Sequence, residues 1–258
     1  MPSTLRRRGL CRVDVIAAVV LLLAGAGTAV PAVYHAGAKQ DRTTATNNLK
    51  ELAIACHNFE ASFKRFPQIA TEIGGTQRSL HFQLLPYIEQ EQVWKASDLA
   101  ASIPLMRDPA DRSMPAGGVY KRTFGTTSFA GNWQVFKGGP RAPGFGKIAD
   151  IFDGTSNTLM WAERYQMCSG TPCLWGYDQF YYWTPMFSYF SLGMFQVHPP
   201  QEICDPALPQ SIHREGILCA LCDGTVRSFG SNLSPQTWAL LSCPNDGQPL
   251  PLDPGGNR

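Results

Sequence analysis

The stretch VIAAVVLLLAGAGTAVPAVYHAGA, Val15 to Ala38, holds no Asp, Glu, Lys or Arg. At ~1.5 Å of rise per residue, a helix of about 20 such residues matches the hydrocarbon thickness of a bilayer, so the run predicts a transmembrane helix. Ahead of it stand Arg6, Arg7, Arg8 and Arg12, with one acidic residue, Asp14, at its very edge. Basic residues on this flank predict that it stays in the cytoplasm, which gives a single-pass inner-membrane protein with its head outside the cytoplasm. From residue 13 onward 18 basic residues meet 20 acidic ones, so the body has no basic footprint for nucleic acid. The competing reading is a cleaved secretory signal, with the arginines as its basic region and Ala36-Gly37-Ala38 as a small-residue cleavage site.

Beyond the apolar run, KQDRTTATNNLKELAIACHNFEASFKRFP (residues 39–67) changes to an amphipathic pattern. Leu49, Leu52, Ala53, Cys56, Phe59 and Phe63 recur at three- and four-residue steps, which predicts one helical stripe facing a core. Pro67 brings that helix to an end. The boundaries expected are a basic leader over residues 1–9, a transmembrane and amphipathic helix over 10–64, and a β-rich head over 65–258. The fold class is α+β: a long N-terminal helix packed against a mainly antiparallel head. Aromatic residues crowd the segment from Trp175 to Phe195, which predicts strands and core packing, with a sugar-stacking surface as the alternative. The Gly and Pro density from Phe124 to Gly146 predicts exposed loops or a hairpin.

A carboxylate at the edge of an apolar helix costs roughly 2–3 kcal/mol on insertion scales, so Asp14 needs a function or a partner. It is the fifth residue after Gly9, with a basic leader before that glycine and an apolar helix after it. The arrangement resembles a type IV prepilin N-terminus. The resemblance implies that a prepilin peptidase cuts after Gly9 and leaves Leu10 first. It implies also that Asp14 pairs with the terminal amine of a neighbouring pilin-like subunit. Pro31 falls where pilin helices often kink. Further landmarks follow in order: Asn47-Asn48-Leu49-Lys50, His57-Asn58-Phe59, Arg65-Phe66-Pro67, Leu84-Leu85-Pro86-Tyr87-Ile88-Glu89-Gln90, Thr127-Ser128-Phe129-Ala130-Gly131-Asn132 and Asp153-Gly154-Thr155-Ser156-Asn157-Thr158. Last comes a His, nine residues, then Asp-Gly, met by His213 and Asp223-Gly224. The ordered set resembles a large bacterial family of prepilin-like proteins of unassigned function.

Eight cysteines are present, six of them after residue 160. Outside the cytoplasm thiols tend to pair, so Cys168, Cys173, Cys204, Cys219, Cys222 and Cys243 allow up to three bridges, with Cys168–Cys173 the expected local pair. Cys219-Ala-Leu-Cys222 has zinc-ligand spacing, but two strand residues three apart point to opposite faces, and no metal or cofactor is expected. Asp223-Gly224 between two apolar runs predicts a hairpin with a two-residue turn, Cys222 facing Thr225 and Leu218 facing Phe229. His213, about ten residues from that tip, is expected to hold the start of the first strand by a hydrogen bond rather than share a catalytic centre with Asp223. The triplets at Asp153 and Asp223 have the wrong order for an acid protease, and no phosphate-binding loop, nucleophile elbow or dinucleotide fingerprint is present. The function expected is a non-enzymatic, membrane-anchored pseudopilin-like subunit of a pilus or secretion-type assembly. The alternative is a tethered or secreted binding module whose aromatic-rich head recognises a carbohydrate or an envelope partner.

Overall fold

The computed structural model describes residues 12–138, 144, 146–189 and 192–251, with the backbone alone for residues 12–36. Two compact units divide the chain, Met1–Asp41 and Arg42–Arg258, and the sheet, core and candidate site all belong to the second. One helix, α1, runs from Arg12 to Phe63. Gly9 and Leu10 lie outside the described residues, as do the side chains of Asp14 and Pro31.

Among the described residues no helix is long and apolar enough to cross a membrane. That overturns the expected transmembrane helix and, with it, the single-pass inner-membrane localisation. The part of α1 whose side chains are described, residues 37–63, carries Lys39, Asp41, Arg42, Lys50, Glu51 and Glu60, and lipid does not tolerate that part of the helix at such a charge density. The apolar stripe of this stretch is already covered by the head: Leu49, Leu52, Ala53 and Cys56 are fully buried and Phe59 nearly so. Phe63, expected on the same stripe, is instead 54% exposed. The helix stops there, because Lys64 adopts a positive φ of 56° and turns the chain away. Phe63 then stacks on Phe59, ring centroids 4.5 Å apart.

The chain next forms a hairpin, β1 (Ala70–Ile73) and β2 (Thr76–Ser79), closed by Gly74-Gly75. Both glycines have positive φ, the geometry that matches the twist of paired strands. Ser79 then caps α2 (Leu80–Leu84), its Oγ accepting from the Phe82 N–H.

The centre of the head is a five-stranded sheet of β3 (Phe129–Asn132), β4 (Leu159–Glu163), β5 (Met186–Phe187), β6 (Ile217–Leu221) and β7 (Val226–Phe229). The order is β7-β6-β4-β3-β5, antiparallel throughout except for the parallel β3–β5 pair. The protein thus has α+β content with a β-rich head. Because strand side chains alternate, β6 serves two cores. Leu218, Ala220 and Cys222 join the cluster that contains the α1 stripe. Ile217, Cys219 and Leu221 join Trp238 and Leu241 of α3 (Pro235–Ser242) on the other face. Met160 is an extra residue in β4, since Ala220 pairs with Trp161 and Leu221 with Leu159. This bulge keeps Leu159 and Ala162 on one face and Met160 and Trp161 on the other. Each large side chain fully buried here, such as Trp161 or Trp238, contributes roughly 1.5–3 kcal/mol before the entropy of ordering it is set against that gain.

Three local expectations need correction. The segment from Phe124 to Gly146 contains β3, an inner strand with every residue buried, and not only loops. Gly131 is there for packing, because a Cβ would lie 2.5 Å from Leu80 Cδ2 and 3.0 Å from the Phe136 ring. Among the described residues of the aromatic run, only Met186–Phe187 forms a strand; Trp175 and Phe195 are core, while Tyr181 is 50% exposed. The C-terminal hairpin forms, with Ile217 opposite Phe229 and Ala220 opposite Val226. That register is one residue from the expected one. Leu221 N–H donates to Thr225 O and Gly224 N–H to Leu221 O, so the loop is Cys222-Asp223-Gly224, and the positive φ is at Gly224 alone of the three. A three-residue loop ending in a left-handed glycine replaces the two-residue turn.

Candidate functional site

Three segments far apart in sequence deliver one carboxylate, imidazole or carboxyl side chain each to a common point. Asp108 opens a tight turn: its Oδ1 accepts from the Ala110 N–H at 2.7 Å, leaving Oδ2 to face inward. The preceding residue is tied to α1, where Asn48 Nδ2 donates to Arg107 O at 2.8 Å. Glu163 ends β4, opposite Phe129. Its Oε2 accepts from the backbone N–H groups of Ile212 (3.2 Å) and Leu218 (3.1 Å), on either side of His213. These two bonds fix the carboxylate's plane and aim Oε1 at the same point as Asp108 Oδ2. His213 follows the short strand Gln210–Ser211, which pairs parallel with Gln196–Val197.

His213 Nε2 donates to Asp108 Oδ2 at 2.9 Å and stands 3.5 Å from Glu163 Oε1. One nitrogen carries one hydrogen, and Asp108 takes it. Glu163 Oε1 is consequently a buried acceptor without a hydrogen-bond partner. The side chains are 7% exposed for His213 and 0% for both acids, which shuts solvent out. Burial first, and the neighbouring Asp108 second, push the Glu163 carboxyl well above the usual range, against the pull of the Leu218 and Ile212 N–H groups and Arg42. Among the described residues this is the one group of three His, Cys, Asp or Glu side chains whose ligand atoms all lie within 4.8 Å of one another.

The neighbouring buried acid differs in kind. Asp111 accepts from Ser113 N–H and Oγ, from Ser128 Oγ and from Gln166 N–H, so both its oxygens are satisfied. Burial still raises its carboxyl, with those four bonds opposing. Next to Glu163, Arg164 sends its guanidinium to the carbonyls of Thr184, Met186, Tyr182 and Pro206 and so anchors the aromatic segment.

The residues singled out from sequence are distributed as follows. His213 hydrogen-bonds to Asp108 and stands 3.5 Å from Glu163 Oε1. Asp223 is exposed at the hairpin tip, its Oδ1 accepting from Thr225 N–H and Oγ1, so it serves the turn alone. The structure does not bring it to His213. Gly224 supplies the positive φ of +84°. Cys168 is bridged to Cys204, not to Cys173, which is a buried free thiol. Cys168 lies opposite Thr171 in its hairpin, and Cys173 is diagonal to it. A diagonal spacing of about 7–8 Å exceeds the reach of a disulfide. Cys219 and Cys222 belong to different cores, as alternation requires.

Asp108 and Glu163 were missed in sequence. The signal available was Glu163 closing the apolar strand LMWAE, since a charge in a buried strand demands a partner. Asp108 gives no such signal, being one of two acids in a turn.

The model for a protein of unknown function, DUF1559 (SBP_bac_10), matches residues 38–115 and 101–236, and the chain belongs to that family. Neither the curated proteins nor the solved structures compared with the chain gave a match.

Proposed function

We propose that the chain is a non-enzymatic structural subunit of pseudopilin type, taken up into a pilus or secretion-type assembly. The observation that carries this reading is the use of α1: one helix whose residues Leu49 to Phe59 form a wall of the head's core. That is how a subunit of this type joins its assembly segment to its head. A second consideration supports it. The polar side chains of the matched landmarks have structural uses: Asn48 ties α1 to a loop, Ser128 holds Asp111, Asn132 Nδ2 donates to Leu159 O and Ser242 O, and Asp153 accepts from the N–H groups of Asp246 and Gly247. The Asp108–Glu163–His213 cluster is shielded, so a substrate has no path to it without opening of the head.

The partners on this reading are a prepilin-type peptidase acting at Gly9–Leu10 and other pilin-like subunits meeting Asp14, with no nucleic acid. N-terminal sequencing of the native protein tests it. A mature chain that begins at Leu10 and is found in a sheared filament fraction is the expected result. A chain that begins near Lys39 and is absent from that fraction overturns the reading.

One observation favours a second reading, the binding module. Tyr120, Phe124, Tyr177, Tyr181 and Trp183 form a partly exposed set of rings, with Tyr177–Trp183 centroids at 5.4 Å and Tyr181–Trp183 at 6.0 Å. Rings so placed offer faces for stacking on a sugar. Quenching of tryptophan fluorescence by a panel of soluble oligosaccharides, lost in Trp183→Ala, would support this reading; an unresponsive spectrum across the panel rejects it.

A further inference from the structure

We infer that Asp108, Glu163 and His213 form a buried binding site for one divalent first-row transition cation, which staples three segments of the head. The inference is independent of the assembly role proposed above.

Four observations lead there. The first is convergence: His213 and Asp108 are 105 residues apart in sequence and meet at 2.9 Å. The second is the fit of the donor atoms. Ligands held ~2.0–2.2 Å from one ion stand about 2.9–3.6 Å apart when adjacent, by simple geometry. The two distances from His213 Nε2, 2.9 Å and 3.5 Å, fall in that interval. Third, the oxygen not aimed at the cluster is in each acid occupied by backbone N–H: Asp108 Oδ1 by Ala110, Glu163 Oε2 by Ile212 and Leu218. Such outer bonds orient ligands toward a metal. Fourth, Glu163 Oε1 is fully buried and has no hydrogen-bond partner. An unpaired buried carboxylate oxygen is among the costliest groups a protein interior can hold, and a cation removes that cost.

Charge and donor type select the ion. Two carboxylates and a neutral imidazole sum to −2, which a divalent cation neutralises. The imidazole nitrogen favours zinc or manganese over calcium and magnesium, which prefer all-oxygen shells. When the ion binds, it takes the place of the Nε2 proton and the ring changes tautomer, Nδ1 carrying the one hydrogen, so the imidazole stays neutral and releases no net proton. The competing account is a proton held by Glu163 with no ion at all.

The shielding of the site means that the ion enters during folding. The experiment therefore unfolds the full chain in denaturant with a chelator and refolds it without metal, with zinc chloride or with manganese chloride. The bound metal is measured after gel filtration, together with the midpoint of thermal unfolding. Wild type is expected to retain one zinc per chain and to melt several degrees higher than its metal-free form. Glu163→Gln, which keeps the shape and removes the charge, is expected to retain none and to lose the zinc-dependent rise. Its metal-free form should melt no lower than that of wild type, so loss of binding is not loss of fold. Asp223→Asn, at the exposed hairpin tip, should behave as wild type. Wild-type protein that refolds without retaining zinc or manganese overturns the inference. Equal retention by Glu163→Gln and wild type overturns it too.

Discussion

His213 Nε2 and Asp108 Oδ2 lie 2.9 Å apart inside the head and join a turn that touches α1 to the segment leading into the sheet. Truncating His213 leaves the buried carboxyl groups of Asp108 and Glu163 facing each other with no imidazole between them. For the metal-free protein, His213→Ala is expected to lower stability by about 3 kcal/mol, the usual range for breaking a buried pair from one side. Denaturant titration followed by tryptophan fluorescence measures it. A loss below about 1 kcal/mol would show that the imidazole is a bystander.

Gly224→Val gives the comparison. The glycine has φ +84° and nothing within 4 Å of a would-be Cβ, so the cost is conformational only, about 1–2 kcal/mol. The cost falls below that of His213→Ala, which breaks a buried pair. Parallel denaturation of the two variants decides between them.

The Cys168–Cys204 bridge closes a sequence separation of 36 residues. In the chain-entropy model such a loop contributes about 3–4 kcal/mol, more than the five-residue loop of Cys168–Cys173 would. Cys204→Ser is expected to lower stability by up to that amount, and Cys173→Ser to cost only local packing. Peptide mapping without reduction should recover Cys168 linked to Cys204, with Cys173 alkylated only after unfolding, since it is buried.

His81 sets a pH dependence. It is fully buried, its Nε2–H donates to Phe129 O, and Nδ1 has no partner. Burial pushes its pKa down from 6.5 to about 3, with the bond to Phe129 opposing. The folded protein thus keeps this ring neutral while the unfolded chain protonates it. Its contribution to stability is whole above the unfolded value and falls with pH between 6.5 and about 3. At pH 5 the loss is about 2 kcal/mol. Stability curves for wild type and His81→Gln should converge as pH falls toward 5. Parallel curves would remove His81 from the account.

Gly131→Ala is expected to cost about 1–3 kcal/mol, because the new methyl would enter the space of Leu80 and Phe136. Thermal unfolding measures it, and an unchanged midpoint would mean that α2 moves aside freely.

Periodicity is a local property, and what it encodes was legible. The three- and four-residue steps from Leu49 to Phe59 specified the buried face of α1, and alternation along β6 specified that Cys219 and Cys222 part company. The Asp-Gly at 223–224 marked its hairpin. Which loop length it used, and hence the register, depended on the turn that leads into β4, since Cys222 N–H bonds to Thr158 O and Asp223 N–H to Thr155 O. Phe63 matched the stripe in spacing, but the chain reversal at Lys64 removed it from the core. Ser234-Pro235, with the Ser234 hydroxyl capping Thr237, was a readable helix start that composition had obscured.

A long helix with one apolar stripe and a glycine-marked hairpin could be read from the residues alone, because each rests on side-chain spacing within a few turns or strands. Tertiary structure alone decided that Asp108, Glu163 and His213 meet, that Cys168 takes Cys204, and that Arg164 anchors the aromatic segment. Those contacts join residues whose separation carries no period. They form only when two sheet faces and their loops close together and leave each buried charge one direction in which a partner lies.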